Sequence, residues 1–338
     1  MTKTKASEYA ALARQVNDAG LLRRRPVRAG ALLVATAAML AGSWALFAAV
    51  GDSWWQLAVA VPMAFAFTQC GFRGHEAGHR QLFGSTRLNN VAGLVFGDLF
   101  IGLGLGWWMH KHNRHHAHPN QIGRDPDIEP SALVFDRDDA SGRKGVGALL
   151  VRHQAGLFFP LLLLEGWNLH VSSVRALRDR HASAPAPAKV EALLLVVNAV
   201  AYFGAVFLVL SPLKAVVFIL IQQGLFGLYL GASFAPNHKG MEMLGRHERL
   251  GFLRNQVLTS RNVRGGLVTD FALGGLNYQI EHHLFPSMPT SALPRASVLV
   301  AAHCADLGVP YTETGLIDSY RQALRHLHEA GAPARESA

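Results

Sequence analysis

The chain has 338 residues, half of them hydrophobic and only 16% charged, which is a poor composition for a soluble domain. Its net charge of +9 invites a nucleic-acid partner, but the basic residues are dispersed between long apolar blocks, and that distribution argues against one. Cys70 and Cys304 are the only two cysteines, so neither a disulfide framework nor a thiolate metal site is indicated.

In chain order, residues 1–26 read as a cytosolic amphipathic segment. Glu8–Leu22 is expected to lie as a helix on the membrane surface, and Arg23-Arg24-Arg25 suits anionic lipid. Apolar blocks at about 27–50 and 54–72 follow, separated by Gly51-Asp52-Ser53. Two more run at about 192–210 and 213–236. Each is long enough to cross a bilayer core, and the first is too long and too closely followed by the second to be a cleaved signal. With four crossings and a cytosolic N-terminus, every lysine and arginine except Lys214 falls on the cytosolic side. Two shorter blocks, 91–109 and 155–169, contain Asp98 with several glycines, and Pro160 with Glu165, respectively. A crossing by 91–109 alone would place histidine clusters on opposite faces of the membrane. A crossing by 155–169 alone would place Arg175, Arg178, Arg180 and Lys189 outside. Both are therefore read as interfacial or re-entrant segments. The Pro/Ala stretch His181–Lys189 reads as a linker, residues 291–338 as a cytosolic helical segment, and Gly331–Ala338 as a frayed tail. The expected fold is all-α: four transmembrane helices, with a membrane domain over 27–290 and a cytosolic helical cap.

The 17 histidines carry the strongest signal. His75 and His79 form HxxxH, His112, His115 and His116 form HxxHH, and His282 and His283 follow Gln279 in QxxHH. On a helix, positions i, i+3 and i+4 share a face, so each cluster can aim its imidazoles at one point. His238, just after the fourth apolar block, adds a further candidate. A single zinc takes about four ligands and cannot use this set, whereas two metals can, and imidazole suits iron, zinc, copper and nickel. All the clusters border the same membrane face. The isolated His153, His170, His181, His247, His303, His326 and His328 read as surface or packing residues. His110 and His118 flank the second cluster. Glu76, Asn237, Asn277 and Gln279 are candidates to act behind the ligands or through water. Trp107-Trp108 reads as an interfacial anchor. Gly102 to Gly106 lacks the spacing of a dinucleotide loop.

HEAGH, HNRHHAHPN and GGLNYQIEHHLFP resemble the three histidine boxes of membrane fatty acid desaturases, over about Cys70 to Pro286. Gln279 at the head of the third box is similar to the front-end and related acyl-lipid or acyl-CoA branch. The resemblance implies two non-haem iron ions, with box ligands His75, His79, His112, His115, His116, His282 and His283 and an additional ligand at His238. It also implies no catalytic residue beyond these ligands, O2 as co-substrate, a fatty-acyl substrate carried on CoA, carrier protein or lipid, and an enzyme that inserts a cis double bond. Related acyl-CoA desaturases place Asn four residues before the extra histidine, where this sequence has Phe234. No HPGG haem motif, iron–sulfur or flavin motif occurs, so a separate ferredoxin or cytochrome b5-like donor is expected. The setting is a multi-pass protein, in a bacterial cell membrane by expectation, with both termini cytosolic.

Three rival readings exist. A lipid hydroxylase or ketolase would use the same metal centre. His75-Glu76-Ala77-Gly78-His79 also satisfies HExxH, the zinc-protease pattern, but that reading leaves two clusters unexplained. A metal transporter would place ligands inside the spans, whereas here they follow the span ends.

Overall fold

The computed structural model describes residues 2–179 and 184–336, with side chains from Glu8 onward. His181 and part of the expected linker lie outside the described residues. Helices dominate; the only strands among the described residues are Asn262–Val263 and Glu313–Thr314, which pair in parallel. The chain divides into two units, each built from separated stretches: Arg24–His110 with Pro160–Ala232, and Met1–Arg23 with Lys111–Phe159 and Ser233–Ala338.

The first unit holds the long apolar helices. Pro26–Val50 starts with proline in its first turn, where the missing N–H costs nothing. Its buried residues Thr36, Leu40, Ser43 and Phe47 form one stripe at helical spacing. Most of the other residues of the helix are apolar and at least partly exposed, as a lipid-facing surface requires; Leu208 and Leu213, in the two later helices, are 87% and 67% exposed. Pro26–Val50, Ala188–Val209 and Pro212–His238 are long and apolar enough to cross a membrane. The helix over the second expected span, Gln56–Gly78, is largely buried and includes Gln56, Gln69, Arg73, His75 and Glu76. Its polar residues keep it below the hydropathy of the other three. The Gln56 amide donates to Phe47 O (2.6 Å) and Gly51 O (2.9 Å), closing the turn. Asp52 accepts from Ser211 N (2.9 Å) and pairs with Lys214 (3.2 Å), so the two short interhelical turns lie together.

Neither shorter apolar block is one continuous helix. The first runs through Thr86–Gly93 and a π-helical turn, Leu94–Leu99, breaks at Gly102 (φ 68°), and restarts as Leu105–Ala117. A Cβ at Gly102 would sit 2.5 Å from Asn198 Oδ1. The second divides between Gln154–Leu162 and Glu165–Ala176. Gly145–Arg152 and Gln154–Leu162 meet at a 97° bend.

The second unit has its own core. Leu12 and Val16 of the N-terminal helix Thr2–Asp18 are fully buried against Leu253, Val257, Ile280, Met288, Ala296 and Val300. The apolar face expected to rest on lipid rests on protein instead. Arg254 holds Glu8 through Nη2 at 3.1 Å. The C-terminal segment is also packed rather than frayed: Ala332–Glu336 is helical, and Ala334 is buried with Val134, Ala140 and Val151.

Candidate metal centre

The first histidine pair sits at the C-terminal end of Gln56–Gly78. One helical turn separates His75 from His79, and their ring centroids are 4.7 Å apart. Trp108 is not a free-standing interfacial anchor. Its ring lies edge-on to both imidazoles, at 5.1 Å from His75 and 5.5 Å from His79. Gly78 makes room for it, because a Cβ there would fall 2.3 Å from Trp108 Cζ3. Glu76 forms a buried ion pair with Arg73 at 2.6 Å.

The second cluster lies on Leu105–Ala117, whose N-terminus is held by side chains from three other segments. Leu105 N donates to Asp98 (3.0 Å), Gly106 N to Glu191 (3.1 Å), and Gly104 N to Ser173 Oγ (2.9 Å). Carboxylates suit this end because its first N–H groups lack helical partners. Burial, and then the neighbouring Glu191, push the Asp98 carboxyl up to about 8.

His238 is the last residue of Pro212–His238. Arg261, fully buried, fixes the chain around it: its Nε donates to Pro236 O (2.6 Å), and its other nitrogens reach Lys239 O and Gln322 Oε1. The third cluster occupies the short helix Gln279–Leu284, where every residue is buried. Asn262 accepts from Ile280 N (2.9 Å) and donates to Glu281 (2.7 Å), and Tyr311 donates to the other Glu281 oxygen (2.9 Å). Burial raises the Glu281 carboxyl to about 7, with those hydrogen bonds opposing the shift.

Within this unit the donor nitrogens of His115, His238 and His283 lie within 4.8 Å of one another, all buried. Each ring turns Nδ1 to an oxygen: Asp125 at 2.9 and 3.0 Å for His115, Thr259 O at 3.0 Å for His238, and Gln256 Oε1 at 2.9 Å for His283. Oxygens accept, so each Nδ1 carries the proton and each Nε2 presents a lone pair. The Nε2 atoms of His115 and His238 face one another at 3.3 Å. Two lone pairs at that distance repel unless a proton or a metal ion lies between them, and this donor set fits a metal that accepts imidazole. Burial disfavours protonation of His115, but Asp125 and Asp127 outweigh it and raise its pKa. His112, His116 and His282 adjoin this group: His116 Nε2 is 3.1 Å from His112 Nε2, and the His116 and His282 ring centroids are 4.8 Å apart.

Gln279 lies 2.9 Å from His238 Nε2 through its amide nitrogen, while Asn237 Nδ2 donates to its oxygen at 3.2 Å. Asn277 does not reach the histidines; it donates to Asp270 at 2.8 Å and staples a loop. His170 bonds Gly102 O and Gln223, and His303 bonds Glu8 O, in keeping with packing roles. Sequence reasoning missed Asp125, Gln256 and the Thr259 carbonyl. The DPD at Asp125–Asp127, a few residues past the second cluster, was the one signal available.

The family model described as fatty acid desaturase matches residues 52–315. The chain belongs to the fatty acid desaturase family. Among curated desaturases it is 30% identical to an acyl-lipid (9-3)-desaturase of Physcomitrium patens, over 83% of this chain and 54% of that protein. It is 31% identical to a Delta(8)-fatty-acid desaturase of Euglena gracilis, over 75% of this chain and 62% of the relative. It is also 31% identical to a Delta(6)-fatty-acid desaturase of Caenorhabditis elegans, over 81% and 64%. The chain thus spans between about half and two thirds of the length of these desaturases.

Proposed function

We propose that this chain is a fatty-acyl desaturase of the membrane that uses O2 and two electrons from a separate ferredoxin or cytochrome b5-like protein to form a cis double bond. The observation that carries the reading is the buried trio His115, His238 and His283, each with Nδ1 committed to an oxygen. One iron is assigned to that trio. The family resemblance implies that the remaining box histidines, His75, His79, His112, His116 and His282, belong to the ligand set of the two irons. The acyl group arrives on CoA, carrier protein or lipid, and the names of the relatives favour lipid.

When bound, the two irons supply the oxygen-derived oxidant that an unactivated methylene C–H bond requires. The overall change is balanced: O2 takes two electrons and two protons from the donor system and two hydrogens from neighbouring carbons, giving one double bond and two waters. The chain's own residues prepare this. Asp125, Gln256 and Thr259 O keep the Nδ1 protons in place. The apolar packing around Ile280 and Leu284 shields the site from water. Asn237 holds the Gln279 oxygen and thereby sets which way that amide turns. Glu76, neutralised by Arg73 at 2.6 Å, is poorly placed to act as a zinc-protease base, which removes the appeal of HExxH.

For the membrane, we assign four spans, the second within Gln56–Gly78, with both termini cytosolic. The test is lipid profiling of a host expressing the wild-type chain beside His283→Ala, with iron counted in the purified protein. New double bonds and close to two irons per wild-type chain support the reading. Hydroxylated or keto lipids would transfer it to the oxygen-inserting relatives of this chemistry. A single zinc in active protein would sink it.

A further inference from the structure

Gln256 lies on the helix Phe252–Leu258 and is completely buried. It belongs to none of the histidine boxes, yet its side chain touches two of them. Its Nε2 donates to the carbonyl of His116 at 3.1 Å, and its Oε1 faces Nδ1 of His283 at 2.9 Å. The imidazoles of these two residues are stacked, with centroids 4.1 Å apart and planes 13° from parallel.

The amide has only one workable orientation. A backbone carbonyl can only accept, so the NH2 of Gln256 must face His116 O. The amide oxygen therefore faces His283, whose Nδ1 must carry a proton to meet it. His283 is left with its lone pair on Nε2, where it faces His115 and His238. Asp125 and the Thr259 carbonyl accept without ambiguity; Gln256 alone is a side chain that could turn either way, and the His116 carbonyl settles it. The helix beneath is itself anchored. Leu253 and Val257 enter the core, and Arg254 holds Glu8 of the N-terminal helix at 3.1 Å.

We infer that Gln256 is a positioning residue that locks the tautomer of His283 and ties the third histidine box to the backbone of the second. This rests on the iron-binding reading above. It predicts a hierarchy that a space-filling role would not produce. Gln256→Glu keeps an acceptor for His283 Nδ1–H but replaces the bond to His116 O with an oxygen–oxygen contact, which a protonated carboxyl relieves by donating there. Gln256→Leu has similar bulk and no acceptor, so His283 can adopt either tautomer. Gln256→Asn keeps an amide but is too short to span both partners.

The experiment uses full-length protein in lipid nanodiscs, stripped of metal and titrated anaerobically with Fe(II). Thermal unfolding of each metal-free variant is measured alongside. Wild type is expected to take up two irons. Gln256→Leu is expected to bind one iron about 10- to 100-fold more weakly, the usual cost of losing an outer hydrogen-bond partner, while the other iron binds as before. Gln256→Glu should hold both irons near wild-type affinity. Should the leucine variant not fold, Gln256→Asn takes its place with the same expected loss. Leucine or asparagine variants that bind both irons like wild type would overturn the inference, as would a glutamate variant as weak as leucine. Wild-type protein that binds no Fe(II) would instead overturn the desaturase reading itself.

Discussion

Single residues around the histidines divide into those that hold an imidazole in place and those that merely sit nearby. Asp125 is fully buried and accepts from His115 Nδ1, Asn120 N (2.7 Å) and Asp127 N (2.9 Å). Asn at this position can satisfy only part of that set, so Asp125→Asn is expected to weaken iron binding about 10- to 100-fold, read by metal titration. Glu76 has the opposite character. Glu76→Gln leaves Arg73 buried without its counter-charge, which costs about 3–5 kcal/mol by analogy with other broken buried pairs. The expected result is a lower melting temperature with iron and double-bond formation retained in the protein that folds. Full metal with no turnover would instead revive acid–base chemistry at HExxH. Gln279→Ala should impair desaturation strongly and Gln279→His should retain some. Wild-type rates in the alanine variant would reduce Gln279 to a spacer.

At the scale of elements, the helix Leu105–Ala117 depends on a cap drawn from Asp98, Glu191 and Ser173. Asp98 has its carboxyl raised to about 8, against about 3.9 for a free aspartate. The folded state therefore binds this proton more tightly than the unfolded chain does. The stabilisation is complete below about pH 4 and is lost as pH rises towards 8, by at most about 1.4 kcal/mol per pH unit. Melting temperatures in detergent should fall from pH 5 to pH 8, and Asp98→Asn should flatten that slope. An unchanged slope in the variant would place the pH dependence elsewhere.

The elements also show what was legible in the chain. Histidines at i, i+3 and i+4 announce a shared helix face, so the boxes could be read directly. His238 could be found because it ends an apolar run. Gln256 and Thr259 could not, since their partners lie elsewhere in sequence and their residue types are common in loops. The helix Thr2–Asp18 was misplaced for a physical reason: the face carrying Leu12 and Val16 has the same periodicity whether lipid or protein covers it. Trp108 was misread because tandem tryptophans beside an apolar block fit a membrane interface equally well. Gln56–Gly78 was long enough to be read as a span, but its polar face is committed to interior contacts, which lowers its hydropathy.

For the whole molecule, the testable matter is orientation. The turn at Gly51–Trp55 meets the turn at Ser211 through Asp52, so the two are expected on one side of the membrane, opposite the basic segments. Ser211→Cys should react with a membrane-impermeant thiol reagent added outside intact cells, and the exposed Ser131→Cys should not. Labelling of Ser131→Cys from outside would invert the assigned topology.

The unit that contains His115, His238 and His283 is assembled from three stretches of chain interrupted by the long apolar helices. A ribosome adding about 5–20 residues per second needs roughly 8 to 35 seconds to travel from His115 to His283. Until residue 238 is added, His115 and Asp125 have been made while both imidazoles that complete the trio are still to come, and from there to residue 283 one is still missing. An incomplete set of nitrogen and carboxylate donors discriminates poorly, and copper or zinc would outcompete ferrous iron for it. With iron as the proposed metal, selection is therefore a matter of timing as well as geometry: on that reading iron is to be delivered to finished chains, and nascent ones are to be kept from free copper and zinc until synthesis has passed the third box.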